Sequence, residues 1–177
     1  MCGVAFTEGG LAAPLTGPVN QTLPLSRVDG YGNRTAIVLQ GCNQICLYCH
    51  NPETIRMCIA CGRCVDACPA NALSLQEGRV VFQIDKCCSC DTCIRICPHN
   101  ASPRIRNLTP KEVFREISPN LPFISRLTTS GGECMRHPPF LTALFYLLRQ
   151  EGNPTFINPI VQLPLISHHQ PRSVPTH

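Results

Sequence analysis

The sequence predicts an α/β chain, made of the strand–helix units of an incomplete barrel and interrupted by a small α+β insertion rich in cysteine. Three observations lead there. The β-branched, apolar run Thr35 to Gln40 reads as a buried strand and runs straight into Gly41-Cys42. Phe140, Leu141, Leu144, Phe145, Leu147 and Leu148 recur at the spacing of one helix face. Between these two segments, eight cysteines fall into two evenly stepped runs that no apolar core pattern requires.

Taken in order, residues 1–26 read as a leader, and Met1 to Leu15 lacks the basic start and apolar stretch of a secretory signal. Residues 27–53 hold the first strand and its cysteine loop, and 54–106 form the insertion, with a strand candidate at Arg79–Ile84. Residues 107–157 continue the strand–helix units. Thr109-Pro110-Lys111-Glu112 has the threonine cap, the first-turn proline and the acid three residues on that start a helix, here predicted over Pro110 to Ile117. Ile124 to Thr129 reads as a second strand, ending in Ser130-Gly131-Gly132-Glu133. The apolar helix stops at Gly152, and Thr155–Ile157 is a candidate third strand. Residues 158–177 are proline- and histidine-rich, carry no acid and show no period, so a frameshifted or disordered tail is expected.

The charge balance excludes some classes. Fifteen Lys+Arg against eleven Asp+Glu give +4, scattered rather than clustered, so no nucleic-acid partner is expected. No apolar run approaches the ~18–20 residues that span a bilayer. A cytoplasmic location is expected, where cysteines stay reduced, so the 14 cysteines point to metal rather than to disulfides.

Cys58, Cys61, Cys64 and Cys68, followed by Pro69, repeat 29 residues later as Cys87, Cys90, Cys93 and Cys97, followed by Pro98. Asn71/Asn100 and Ala72/Ala101 match across the same offset. Each copy is the C-x2-C-x2-C-x3-C-P run that holds cubane iron–sulfur clusters in bacterial ferredoxins. Three thiolates two residues apart can wrap three corners of one cubane, while the fourth points at the neighbouring cluster. One cluster is therefore assigned to Cys58, Cys61, Cys64 and Cys97, and the other to Cys87, Cys90, Cys93 and Cys68. Zinc also uses short C-x2-C steps, but normally as two knuckles separated by a longer gap. Cys2, Cys88 and Cys134 are spare, and Cys88 is expected to pack.

Cys42, Cys46 and Cys49 form a third group with no fourth member. Three thiolates on a cubane leave one iron open, as an open catalytic metal position does. By itself such a triplet also fits a redox or zinc fragment. With Tyr48 before the last cysteine, it resembles the signature of the radical S-adenosylmethionine (radical SAM) superfamily. Ser130 to Glu133 reads equally as an ordinary strand–helix turn or as a place where glycines admit a ligand beside a carboxylate. His50 taken alone is a plain loop histidine.

Together these segments resemble the glycyl-radical-enzyme activating enzymes, the pyruvate formate-lyase activase family, and within it the YjjW-type subgroup with a two-cluster ferredoxin insertion. The residues that carry the likeness are Asp29 to Arg34, Gln40 to Thr54, both ferredoxin runs and Ser130 to Glu133. Asp-Gly-Tyr-Gly stands where the family commonly has D-G-P-G, and Cys134 where many members have proline.

The resemblance implies a radical SAM partial (β/α) barrel with a ferredoxin-like insertion, three 4Fe-4S clusters and S-adenosyl-L-methionine. It also implies reductive cleavage of that cofactor to a 5′-deoxyadenosyl radical, which takes a Cα hydrogen from a partner glycyl radical enzyme. Tyr48, Cys49 and His50 would line the cofactor, while Gly131, Gly132 and Glu133 would hold its methionine amino group. No catalytic residue is implied beyond the cluster ligands. The electron would come from a small donor such as flavodoxin or ferredoxin.

An eight-unit barrel needs ~250 residues. The barrel-like parts here amount to about two and a half units on that scale. The expectation is therefore a C-terminally truncated activase. An inactive truncated activase and a ferredoxin-like electron-transfer protein are the alternatives, and a pure carrier would need neither the Cys42 triplet nor Ser130–Glu133.

Overall fold

The computed structural model describes residues 14–27 and 32–150. Asp29-Gly30-Tyr31, Cys2, Gly152, the strand candidate at Thr155–Ile157 and the tail from Asn158 lie outside the described residues. Those described form a mixed α/β structure with one four-stranded sheet and one two-stranded sheet.

The larger sheet contains β1 (Gly17–Ser26), β2 (Arg34–Leu39), β5 (Arg106–Leu108) and β6 (Arg126–Gly131), in the order β5-β1-β2-β6. β1 runs antiparallel to both β2 and β5, whereas β2 and β6 are parallel. A parallel pair needs a crossover, and here it contains the whole insertion followed by α3 (Pro110–Ile117). β6 leads into α4 (Pro138–Gln150). Two findings differ from the sequence expectation. Gly17–Ser26, placed in the leader, is a ten-residue strand whose two prolines and irregular register with β2 hide its alternation. The second strand is Arg126–Gly131 rather than Ile124–Thr129, because pairing with β2 continues to Gly131 opposite Leu39.

One sheet face, carrying Val19, Ile37, Leu39 and Leu127, is buried against Val113 and Ile117 of α3 and Phe140, Leu141, Leu144, Phe145 and Leu148 of α4. Full burial of each large apolar side chain contributes about 1.5–3 kcal/mol, so this stripe of α4 holds the helix on the sheet. Alternation sends Arg34, Ala36 and Val38 to the opposite face. There Arg34 is buried and donates to the Thr128 hydroxyl at 3.0 Å. The α3 start forms as its sequence predicts: Glu112 N donates to Thr109 Oγ1 (3.3 Å), and Thr109 N donates to Glu112 Oε2 (2.7 Å). At the other end of α3, Glu116 takes a two-pronged bond from Arg106 of β5 at 2.7 and 3.0 Å, tying the short edge strand to the helix.

Where β6 ends, the chain lies flat on the end of β2. Gly131 has φ +99, and a Cβ there would sit 2.5 Å from the Leu39 carbonyl oxygen; one on Gly132 would sit 2.3 Å from the Gly41 oxygen. Gly132 N donates to Leu39 O (2.8 Å) and Glu133 N to Gly41 O (3.0 Å). Only glycine allows so close a backbone approach.

The insertion contains α1 (Arg63–Asp66), the hairpin of β3 (Leu73–Gln76) and β4 (Arg79–Phe82), and α2 (Thr92–Arg95). Among the described residues no helix is long and apolar enough to cross a membrane.

Two stability predictions follow from this packing. Gly132→Ala should cost about 1–3 kcal/mol through forced separation of β2 and β6, read as a lower urea midpoint with an unchanged slope. The Arg106 fork holds the Glu116 carboxyl below the ordinary carboxylate value of 4.5. That contribution is therefore complete above pH 4.5 and disappears as the pH falls through the lower, folded-state value. Glu116 is about one-third exposed and partly screened, so Glu116→Gln should lose about 1 kcal/mol at pH 7. The variant should also show a weaker loss of stability than the parent as the pH falls below 4.5, read in urea titrations.

Candidate metal centres and cofactor site

Gln40, the first residue past β2, has a completely buried side chain. Its amide Nε2 donates to the carbonyl oxygens of Glu53 (2.8 Å) and Arg56 (2.7 Å), and its Oε1 accepts from Asn20 Nδ2 of β1 (2.7 Å). Next along the backbone, Gly41 N donates to Thr54 O (2.7 Å) and Cys42 N to Ile55 O (2.9 Å). The loop carrying Cys42, Cys46 and Cys49 is thereby pinned at both ends to the carboxyl end of β2. Its base is closed by the buried Thr54, whose hydroxyl donates to Asn51 O at 2.7 Å.

All three cysteines are half-buried, and Cys42 Sγ accepts from Gln44 N at 3.4 Å. Ile45, Leu47 and Tyr48 are 88%, 95% and 90% exposed. Tyr48 and His50 lie at the surface of the loop, with Cys49 half-buried between them.

The backbone bonds of Gly132 and Glu133 bring Gly131, Gly132 and Glu133 against Leu39 and Gly41, beside the start of this loop. The sequence offered the glycine pair as room for a ligand. In the structure both glycines lie against the β2 backbone and join the two strand ends. Glu133 Oε1 accepts from Met135 N (3.0 Å) and so caps its own turn. Cys134 is buried in the main apolar core, and burial pushes its thiol pKa up. It packs among the apolar side chains of that core, with its Sγ 4.0 Å from Glu133 Oε1. Sequence reasoning passed over Gln40, Met57 and Arg136, the last two of which flank Gly41. The one available signal was a polar glutamine closing an apolar strand.

In the insertion, the 29-residue repeat recurs in the backbone. Ala60 and Ser89 (φ 57 and 54), Gly62 and Asp91 (81 and 57), and Asn71 and Asn100 (49 and 49) share left-handed conformations, which are uncommon outside glycine. α1 and α2 occupy matching places. These turns aim amides at sulfur: Ala72 N donates to Cys68 Sγ (3.3 Å) and Ser89 N to Cys87 Sγ (3.4 Å).

Two solvent-open hollows result. One is lined by Cys58, Cys61, Cys64 and Cys97 together with His99 and Pro103. The other is lined by Cys68, Cys87, Cys90 and Cys93 together with Phe82 and Arg104. Cys88 also borders the second hollow and is exposed rather than packed. The first hollow gathers four thiols and the second five, so each offers at least the four soft donors that a cubane requires. Among the described residues no His, Cys, Asp and Glu side chains group as ligands of a single ion.

The thiols are not alike. Burial, followed by repulsion from Cys58, pushes Cys64 up to about 11, whereas hydrogen bonding from Thr92 lowers Cys90 to about 7. The apolar core of the insertion is small. Cys64, Leu73 and Cys93 are buried, with Val65, Cys68, Val80, Phe82 and Ile94 around them. So small a core normally needs metal or a covalent link to hold it.

The profile of a family described as "4Fe-4S dicluster domain" matches residues 57–101, within the insertion. The chain is 39% identical over 144 residues to the benzylsuccinate synthase activating enzyme of Thauera aromatica, covering 70% of this chain and 44% of that protein. It is 37% identical over 147 residues to the (2S)-3-sulfopropanediol sulfolyase activating enzyme of Bilophila wadsworthia, covering 73% and 49%. With the isethionate sulfite-lyase activating enzyme of Nitratidesulfovibrio vulgaris it shares 34% identity over 137 residues, covering 66% and 44%. The chain thus spans under half the length of these relatives. By its likeness to these activating enzymes over the stretch they share, the chain belongs to the family of glycyl-radical-enzyme activating enzymes.

Proposed function

We propose that the chain acts as a radical SAM activase that uses S-adenosyl-L-methionine to abstract a Cα hydrogen from a glycine of a partner glycyl radical enzyme. The observation that carries this reading is the meeting of two segments at the carboxyl ends of parallel strands. The three-cysteine loop leaves β2, and Gly131-Gly132-Glu133 closes β6 against it. Such strand ends are where open α/β sheets and barrels place their ligands. The larger sheet is then read as part of a radical SAM barrel, and residues 54–106 as its ferredoxin-like insertion.

In this reading Cys42, Cys46 and Cys49 hold a 4Fe-4S cluster with one open iron. Cys58, Cys61, Cys64 and Cys97 hold a second cluster, and Cys87, Cys90, Cys93 and Cys68 a third. When bound and reduced, the first cluster supplies the electron that splits the cofactor into methionine and a 5′-deoxyadenosyl radical. The protein seats and orients the cofactor. Tyr48 and His50 lie beside Cys49 to line the adenosyl side, and the exposed Ile45, Leu47 and Tyr48 provide an apolar surface for the cofactor or partner to cover. Glu133 offers its carboxylate to the methionine ammonium, exchanging the Met135 amide for a charged donor. A small flavodoxin- or ferredoxin-type donor supplies electrons through the insertion, in the reducing cytoplasm.

Anaerobic reconstitution tests the assignment. About 12 iron per chain are expected, as three cubanes of four, with dithionite-dependent release of 5′-deoxyadenosine. Cys42→Ala should abolish that release and leave about eight iron in the insertion. A parent chain that binds about eight iron and cleaves no cofactor would instead be an electron carrier.

A further inference from the structure

The two halves of the insertion differ in the side chain that meets a cysteine sulfur. Arg104, just after the second repeat, reaches back over the second hollow, where its Nε donates to Cys93 Sγ at 3.3 Å. Its Nη2 is held by Asp91 Oδ1 at 2.5 Å, so the guanidinium is anchored while it faces the sulfur. Its side chain is 17% exposed, so solvent screens the bond little. The position 29 residues earlier holds Leu75, half exposed and with no donor to offer. Arg63, which lines the first hollow, makes no such bond to sulfur, and its own repeat partner is Thr92. Asp91 itself replaces Gly62, so both members of the Asp91–Arg104 pair are peculiar to the second copy.

We propose that Arg104 is a tuning residue that raises the reduction potential of the cluster held by Cys87, Cys90, Cys93 and Cys68 above that of its repeat-related neighbour, so that a single electron entering the insertion resides there first. This rests on the cluster assignment proposed above. Reduction adds negative charge to a cluster and its thiolates, and a cationic donor on a ligand sulfur stabilises that charge most in the reduced form. Asp91 offsets part of the arginine's charge but also fixes its fork, so the directional N–H to sulfur persists.

The full-length chain, anaerobically reconstituted, is titrated with dithionite and redox mediators while the reduced clusters are followed by electron paramagnetic resonance. In Arg104→Gln one insertion cluster should become about tenfold harder to reduce, a fall of about 59 mV for one electron, and the other should stay in place. Arg104→Lys, which keeps the charge without the fork, should fall between. A second measurement needs no variant. In parent protein labelled with 15N-arginine, pulsed spectra of the first cluster to be reduced in the insertion should carry a weak nitrogen coupling that the second lacks.

Equal shifts at both clusters, no shift in a fully loaded variant, or no arginine coupling on the first-reduced cluster would each overturn the role of Arg104. Failure of the parent to bind the insertion's eight or so iron would instead sink the cluster assignment.

Discussion

One carbonyl oxygen and one buried amide hold the functional parts of this chain in register. The Glu53 oxygen accepts from Gln40 Nε2 and from Ser102 N, both at 2.8 Å. The first bond fixes the end of β2 to the far side of the cysteine loop, and the second fixes the exit of the insertion to its entrance. Gln40 also satisfies the Arg56 carbonyl and pairs with Asn20, so every polar atom of this completely buried side chain has a partner. A buried carbonyl left without a donor costs about 1–3 kcal/mol. The arrangement is therefore strongly preferred over one in which the loop swings away.

Around that junction the chain is stabilised in two different ways. The larger sheet has an apolar interface with α3 and α4, and residues from every one of its strands contribute to it. The insertion has a few buried side chains, two of them cysteines. Its turns depend on left-handed residues repeated at the same offset, conformations that cost free energy unless something recovers it. Amide-to-sulfur bonds recover part, and coordination of four thiolates per hollow would recover far more. With clusters bound, metal binding and folding of the insertion would be one process, while the sheet has an apolar core of its own.

Much of this was legible in the sequence because it is encoded locally. The capping box at Thr109, the β-branched run of β2 and the apolar stripe of α4 are each patterns within a dozen or so residues, and each produces the element it predicts. What escaped is encoded at long range. β1 lacks a clean alternation because Pro18 and Pro24 interrupt it, and it becomes a strand through pairing with β2 and β5. The reach of Gln40 to Glu53 and Arg56, and of Arg104 to Cys93, depends on how the insertion folds back. The glycine pair, recognised as a place of close approach, also meets the backbone of Leu39 and Gly41, a contact set at long range.

That contact bears on how the site works. If Gly131 and Gly132 served only to admit a cofactor, β6 and β2 could separate without consequence for the cysteine loop. A Cβ on either would instead clash with the backbone of Leu39 or Gly41, and the carboxylate of Glu133 and the thiol of Cys42 hang from strand ends bonded to each other. Gly41 is the shared residue: it accepts from Glu133, donates to Thr54 and packs beside Met57 at the mouth of the insertion. A cofactor bridging the loop and the β6 turn would meet groups whose separation was set during folding, before it arrives, and preorganisation of that kind reduces the ordering cost of binding.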